Sequence, residues 1–194
     1  MRKINKAILA IAVPAIVSNI TTPLLGLVDV AIVGHIGSAV YIGAIAVGST
    51  MFNMLYWLFG FLRMGTAGLT SQSCGAGDFH SSSASLRRAL VMSFVFAAVL
   101  IVLSQPLGYL ALDFLDADDA TAPLARKYFS IAIFGAPAAL GMYSLNGWLL
   151  GMQNTRSPML VALLTNVVNI AISATLVFGF GMKIEGVATG TLSA

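Results

Sequence analysis

Asp29 is the one charged side chain in the apolar run from Ala7 to Val33. On insertion scales a charged aspartate at the centre of a membrane helix costs roughly 2.5–3.5 kcal/mol. A carboxylate kept at that cost points to a proton or cation site. The plainer alternative is a wetted carboxylate near a helix end, because Gly34 lies only about a turn away. A second polar set is Asn166, Asn169 and Ser173, spaced i, i+3 and i+7 and therefore on one helical face. Their amide and hydroxyl oxygens suit coordination of a cation or a hydrogen bond to a protonated carboxyl. Asn146 is a further polar position in an apolar stretch, as are Thr189 and Thr191. The competing role for this polar set is adhesion between helices, at about 0.6 kcal/mol per contact.

The elements that must hold these groups follow from composition. Hydrophobic residues make up 58% of the chain and charged residues 9%, with a mean hydropathy of +0.93. A soluble chain carries about 25% charged residues. Apolar segments near 8–33, 41–70, 88–111, 127–150 and 158–180 each exceed the ~20 residues that cross ~30 Å of hydrocarbon. A sixth, 186–194, is present as its start only. The expected fold is all-α: a polytopic transmembrane bundle of five full spans and the beginning of another. The first run is too long for the apolar core of a signal peptide and lacks a small-residue cleavage pattern, so it reads as a retained span.

Charge sets the expected orientation. With the amino terminus cytoplasmic, the inner side holds Arg2, Lys3, Lys6, Arg87, Arg88 and Arg156, against Arg126, Lys127 and Lys183 outside. The positive-inside rule favours that sense. The acidic residues Asp113, Asp116, Asp118 and Asp119 then face outward as a solvated loop; their spacing lacks the glycine and terminal glutamate of a calcium loop. A net charge of +3 spread over short loops does not fit nucleic-acid binding. Cys74 is the single cysteine, which excludes an intrachain disulfide. His35 and His80 fall in loops on opposite sides, so a shared metal or a catalytic pair is not expected. Ser85 is a candidate cap for the third helix.

Prolines interrupt the spans at Pro14, Pro23, Pro106 and Pro137, each removing a backbone hydrogen bond. Two of them share the helix of Asp29, which suggests a bendable element beside a polar cavity. Arg63 lies about 33 Å along span two from its outer start, near the inner interface. It is placed there to reach headgroups or to tie helix ends, not to pair with Asp29.

The stretch Trp57–Gln72 (WLFGFLRMGTAGLTSQ), with Gly75–Asp78 (GAGD), resembles span two of the multidrug and toxic compound extrusion (MATE) transporters, in their DinF-like branch. Leu27–Gly37 (LVDVAIVGHIG), Gly147–Arg156 (GWLLGMQNTR) and Asn166–Ile170 (NVVNI) match the same pattern in order. The resemblance implies an antiporter of two six-helix lobes that exports small organic, cationic compounds. This chain, 1–194, would be the amino-terminal lobe truncated in its sixth span, with the other lobe or a second chain as partner. No G-x-x-x-x-G-K-[ST] loop is present, which agrees with an ion gradient as the energy source. No cofactor and no enzymatic activity are expected. By resemblance Asp29 is the coupling site, Asn169, Ser173 and Thr191 its partners, Pro14 the hinge, and Asn146 and Asn166 line the substrate pocket. The family pattern often has an aspartate where Ser173 stands, so protons are favoured over sodium as the coupling ion. A lipid-linked or polysaccharide flippase of the same superfamily and a non-transporting truncated membrane lobe are the alternatives. The expected location is the inner membrane, multi-pass. A cysteine at Asp116 should be labelled by an impermeant thiol reagent applied outside, and one at Ser82 should not; the reverse pattern would overturn the orientation.

Overall fold

Hydrocarbon leaves a backbone amide no partner but another backbone group, so long apolar runs close their hydrogen bonds within helices. The computed structural model describes residues 2–35 and 39–193, and among these residues it is helical with no strand. The predicted link between spans one and two includes residues 36–38, outside the described residues. Span one is α1 (Arg2–Gly34), which continues through Pro14 and Pro23. Span two is α2 (Ala39–Leu58) and α3 (Gly60–Gly75), and span three is α4 (Phe79–Val102) and α5 (Ser104–Phe114). Span four is α6 (Ala122–Ala132), a 3-10 turn (Ile133–Gly135) and α7 (Ala136–Gly151). Span five is α8 (Arg156–Ala174), which passes into a π turn (Thr175–Gly179); α9 (Ile184–Ser193) follows. Ala39–Gly75, Phe79–Val102, Ala122–Gly151 and Arg156–Gly179 are each long and apolar enough to cross a bilayer. The chain is a multi-pass membrane protein.

The interruptions have local causes. Pro106 has no N–H for the carbonyl of Val102, and the helix breaks at Leu103 between them. Pro137 leaves the carbonyl of Ile133 open in the same way, and Ala136 N–H takes it with a tighter 3-10 bond. Span two breaks without a proline. Phe59 N–H donates to Tyr56 C=O and Leu62 N–H to Phe59 C=O, both at 3.0 Å, one turn of 3-10 character before Gly60.

Span three begins nine residues before the predicted 88, a difference set by capping. Asp78 Oδ1 accepts the backbone N–H of Ser81 at 2.9 Å. The side chain and the backbone N–H of Ser81 together hold the Asp78 carboxyl below the usual carboxylate range. The serine run is thus the first turns of α4. The hydroxyls of Ser83 and Ser85 donate to Phe79 and Ser81 carbonyls, both at 2.9 Å, so Ser85 lies within the helix and is not its cap.

The spans alternate in direction, giving the bundle two ends. One gathers the acidic loop, His35 and Gly181; the other gathers Asp78, the turn 152–155 and the amino terminus. Toward the amino-terminal end, α7 is the hub, packed on α3 and α4. Gly147 and Gly151 are four residues apart on one face, and they let α3 approach backbone to backbone. A Cβ at Gly147 would overlap the Arg63 carbonyl, and one at Gly151 would stand 2.6 Å from Thr70 Cβ and 2.8 Å from the Ala67 carbonyl. Against α4 the contact is polar and satisfied. The Ser93 and Ser144 hydroxyls lie 2.8 Å apart and also reach the carbonyls of Ala89 and Leu140. Trp148 Nε1 donates to Ser82 Oγ at 3.0 Å. Arg63 is exposed, level with Gly147 and so one turn from the end of span four at Gly151. Toward the acidic end, α6 packs on α2, α5 and α9; Phe129 stacks on Phe52 with ring centroids 5.0 Å apart. Helix α1 packs chiefly on α8, and α8 on α9.

Ser82 is 1% exposed, so the non-reactivity of a cysteine there would report burial; exposed His80 is the better position for that probe. The glycine contacts give a stability test. Gly151→Val should lower the melting temperature in detergent, by the equivalent of about 1–3 kcal/mol of overpacking. Gly65, with open space around its Cα, should gain roughly 0.5–1 kcal/mol as Gly65→Ala. Equal melting of the two variants would contradict the backbone contact.

Candidate functional site

The polar residues of the acidic half are brought together by glycine. Gly186 and Gly190 are one turn apart on α9, on the face that meets span five. A Cβ at Gly186 would stand 3.2 Å from Val177 Cγ2, and one at Gly190 would overlap Ser173 Oγ and stand 3.0 Å from Ser173 Cα. This approach sets Thr191 against Asn169, whose Nδ2 donates to Thr191 Oγ1 at 3.4 Å. Thr191 in turn donates to its own Val187 carbonyl at 3.0 Å. The amide is therefore anchored by its nitrogen, and its oxygen remains available.

Tyr128 closes the group from span four. It is 3% exposed, and its ring lies over Gly48, which has no Cβ to obstruct it. Its side chain lies near Thr191, Ser49 and Asp29. Asp29 itself is 5% exposed, about 8 Å of helix rise from the end of α1 at Gly34. Ser173 lies at a matching depth, roughly 9 Å of rise before Gly179.

The unusual property of this group is what it leaves unbonded. Asp29 Oδ1, Asn169 Oδ1 and Ser173 Oγ are all buried without a hydrogen-bond partner. A buried polar atom left unpaired costs about 1–3 kcal/mol. Among the described residues no basic side chain forms an ion pair with Asp29. Three orphaned oxygens on neighbouring helices, one from a carboxylate, make a site suited to a proton or a small cation. A π turn, a distortion frequent at functional sites, begins at Thr175, directly beyond Ser173.

Other residues singled out in the sequence lie elsewhere. Pro14 is buried in α1, about 22 Å of rise from Asp29. Asn166 is one turn before Asn169, partly buried and engaged in an interaction of its own. Asn146 is partly buried in α7, in the other half of the bundle and roughly 27 Å along span four from Tyr128. Thr189 donates to the Glu185 carbonyl at 2.7 Å, within α9. His35 Nδ1 lies 2.8 Å from the Ala31 carbonyl and its ring meets Phe178 edge-on, while His80 is at the far end. Asp118 accepts from Thr121 Oγ1 and N–H and from Ala120 N–H at 2.8–2.9 Å, which holds its carboxyl low and caps the entry to α6. Among the described residues no three His, Cys, Asp or Glu side chains gather as a metal site.

The MatE family model matches residues 14–175, which include Asp29, Tyr128, Asn169 and Ser173. The chain belongs to the MatE family. It is 40% identical over 190 residues to the DNA damage-inducible protein F of Escherichia coli (strain K12), covering 98% of this chain and 41% of that protein. It is 27% identical over 199 residues to the probable multidrug resistance protein NorM of Thermotoga maritima, covering 98% and 42%. Its fold matches a solved outward-facing multidrug resistance MATE family transporter of the MOP superfamily, with a TM-score of 0.87 at 21% identity, over 97% of this chain and 41% of that one. The chain thus spans about two fifths of the length of the relatives it matches.

Tyr128 and Ser49 were missed by sequence reasoning. The signal was present: in Arg126–Phe129 the tyrosine follows two basic residues and so reads as an interfacial ring, but it falls one helical step inside them.

The packing yields a paired expectation. Ser173→Ala removes an unsatisfied hydroxyl and should leave the melting temperature unchanged or raised by the equivalent of up to about 1 kcal/mol. Gly190→Ala pushes a methyl into Ser173 and should lower stability by about 1–3 kcal/mol. Marked destabilisation by Ser173→Ala would show that its hydroxyl has a partner.

Proposed function

We propose that this chain is the amino-terminal lobe of a cation-coupled antiporter that exports drugs or other small organic compounds across the inner membrane by alternating access. The observation that carries this reading is the set of three buried, unpartnered oxygens around Asp29. A charge in that setting is expensive until something neutralises it. A cation taken up from the outside does so, and its arrival and departure give the helices two states of different energy. Family membership, and the multidrug names carried by its relatives, supply the substrate class. The acidic end faces out and the amino terminus faces the cytoplasm.

A proton is the favoured ion. Placed on Asp29, it would let the carboxyl donate to one orphaned acceptor, so that one proton relieves two oxygens; the Ser173 hydroxyl is free to donate to the third partner. Sodium is the second reading, favoured by the presence of several oxygens in one place, since that ion needs several ligands at once. One inward charge is worth about 2.3 kcal/mol per 100 mV. At ~1.4 kcal/mol per decade, this sustains roughly a 50-fold gradient of a neutral substrate. The flippase alternative requires basic residues to hold phosphates, and Arg63, the basic residue farthest inside a span, is in the other half of the bundle.

The test uses the whole transporter carrying this lobe, in proteoliposomes loaded with a cationic dye. An imposed pH gradient should drive efflux. Asp29→Asn should abolish it without lowering the melting temperature, and Ser173→Asp should shift its pH profile or raise its sensitivity to sodium. Undiminished efflux from Asp29→Asn would sink the coupling role. Efflux that follows a sodium gradient and ignores a pH gradient would replace the proton with sodium.

A further inference from the structure

A second polar site lies at the acidic end, on the outer flank of the bundle between α5 and α6. The two helices diverge there around a cavity of about 690 Å³, lined by Tyr109, Leu110, Leu112, Asp113, Pro123 and Arg126 among others. That volume is in the range of ~300–1,000 Å³ typical of small-ligand pockets. Arg126 is fixed in place: its guanidinium carbon is 3.4 Å from the centroid of the Tyr109 ring, and Nη2 donates to Gln105 Oε1 at 2.9 Å. A guanidinium has five N–H donors, so most are left for a ligand. Asp113 lines the same cavity but stands outside ion-pair distance of Arg126. The two charged groups line one pocket, each without an ionic partner among the described residues.

The walls indicate what enters. Tyr109 is 58% exposed and Leu110 66%, so the pocket they line has an open apolar rim. Arg126 is about a turn inside the start of α6, at the depth of an interface. A pocket with a cationic and an anionic pole, an apolar rim and interfacial depth fits a zwitterionic headgroup on acyl chains. A guanidinium binds a phosphodiester with two parallel N–H···O bonds, and a carboxylate suits an ammonium that still carries N–H donors. We propose that this groove holds an amino phospholipid, with the phosphate on Arg126 and the primary ammonium on Asp113. A quaternary ammonium lacks the N–H for Asp113, a glycerol headgroup lacks the charge, and a diacylglycerol lacks both. This site is separate from the group around Asp29, and the inference does not depend on what that group transports.

The whole transporter carrying this lobe, purified in detergent and incubated with equal amounts of dioleoyl phosphatidylethanolamine, phosphatidylcholine, phosphatidylglycerol and diacylglycerol, tests it by native mass spectrometry. Phosphatidylethanolamine should be retained over the other three by about tenfold, the scale of one charge-assisted hydrogen bond. Arg126→Gln should remove that retention. Asp113→Asn should reduce phosphatidylethanolamine to the level of phosphatidylcholine, while Asp119→Asn, an equal loss of charge outside the pocket, should leave the preference intact. Asp113 is exposed near a helix end, so its variant stays informative even if Arg126→Gln fails to fold. Equal retention of diacylglycerol, preference for phosphatidylglycerol, or an unchanged preference in Asp113→Asn would each overturn the proposal.

Discussion

Hydrocarbon offers a polar group no hydrogen bond, and this constraint sorts the polar side chains of the bundle into two kinds. Most are satisfied locally. Thr66, Ser93 and Thr175 donate to the carbonyl one turn back on their own helices, at 2.6–2.9 Å. Ser93 and Ser144 then also join α4 to α7. Ser93 and Ser144 act as adhesion, and the bonds of Thr66 and Thr175 within their own helices show how an apolar chain accommodates its other hydroxyls. Asp29, Asn169 and Ser173 are exceptions, each buried with an oxygen unpaired, and so is Thr70, whose side chain lies in the α3–α7 seam against Gly151. Neither burial nor a single unpaired atom separates a site from a seam in this lobe; the acidic half is distinguished by carrying three such oxygens, one of them from a carboxylate.

Satisfaction depends on how closely the helices approach, and the approach is made by small residues. In the amino-terminal half, Gly147 and Gly151 bring α7 onto the backbone of α3, and the serines close α7 on α4. In the acidic half, Gly186 and Gly190 do the same for α9 against span five. Between the halves each of spans two to four is interrupted, at Phe59, at Leu103 and at Ile133–Gly135, while span five changes to π geometry near its end. Breaks of this kind are where helices bend. The lobe is thus assembled as two tightly seamed halves, joined by interrupted helices in spans two to four and by the continuous helices α1 and α8.

The features legible in the sequence were those with an isolated chemical signal. A lone carboxylate in a long apolar run singled out Asp29, and helical spacing singled out Asn166, Asn169 and Ser173; of these Asp29, Asn169 and Ser173 are buried. Prolines marked two of the interruptions, because a missing N–H is a local property. The break at Phe59 has no such signal and arises from backbone bonding that only the packed bundle displays. The start of α4 was hidden because a run of serines resembles a link, although Asp78 ahead of it was a readable cap. Asn146 shows the limit of polarity as a guide: it resembles Asn169 in type and setting, yet the fold places it in the opposite half. Tyr128 shows the converse, since its part in the site follows from Gly48 on another helix.

The serine at position 173 is best understood through its neighbour. Ser173 is fully buried, and its hydroxyl lies where a single methyl on Gly190 would collide. The resemblance to MATE transporters puts a carboxylate at this position in many relatives, and a carboxylate is larger than a hydroxymethyl group. With α9 drawn in this close, a second carboxylate would need either more room or a different rotamer toward Asp29, and two unpaired carboxylates side by side would repel. Close packing of α9 and a single formal charge therefore accompany each other. The same contact that leaves Ser173 Oγ unpaired also holds Thr191 within reach of Asn169, so the geometry of the oxygen set and its net charge derive from one helix crossing.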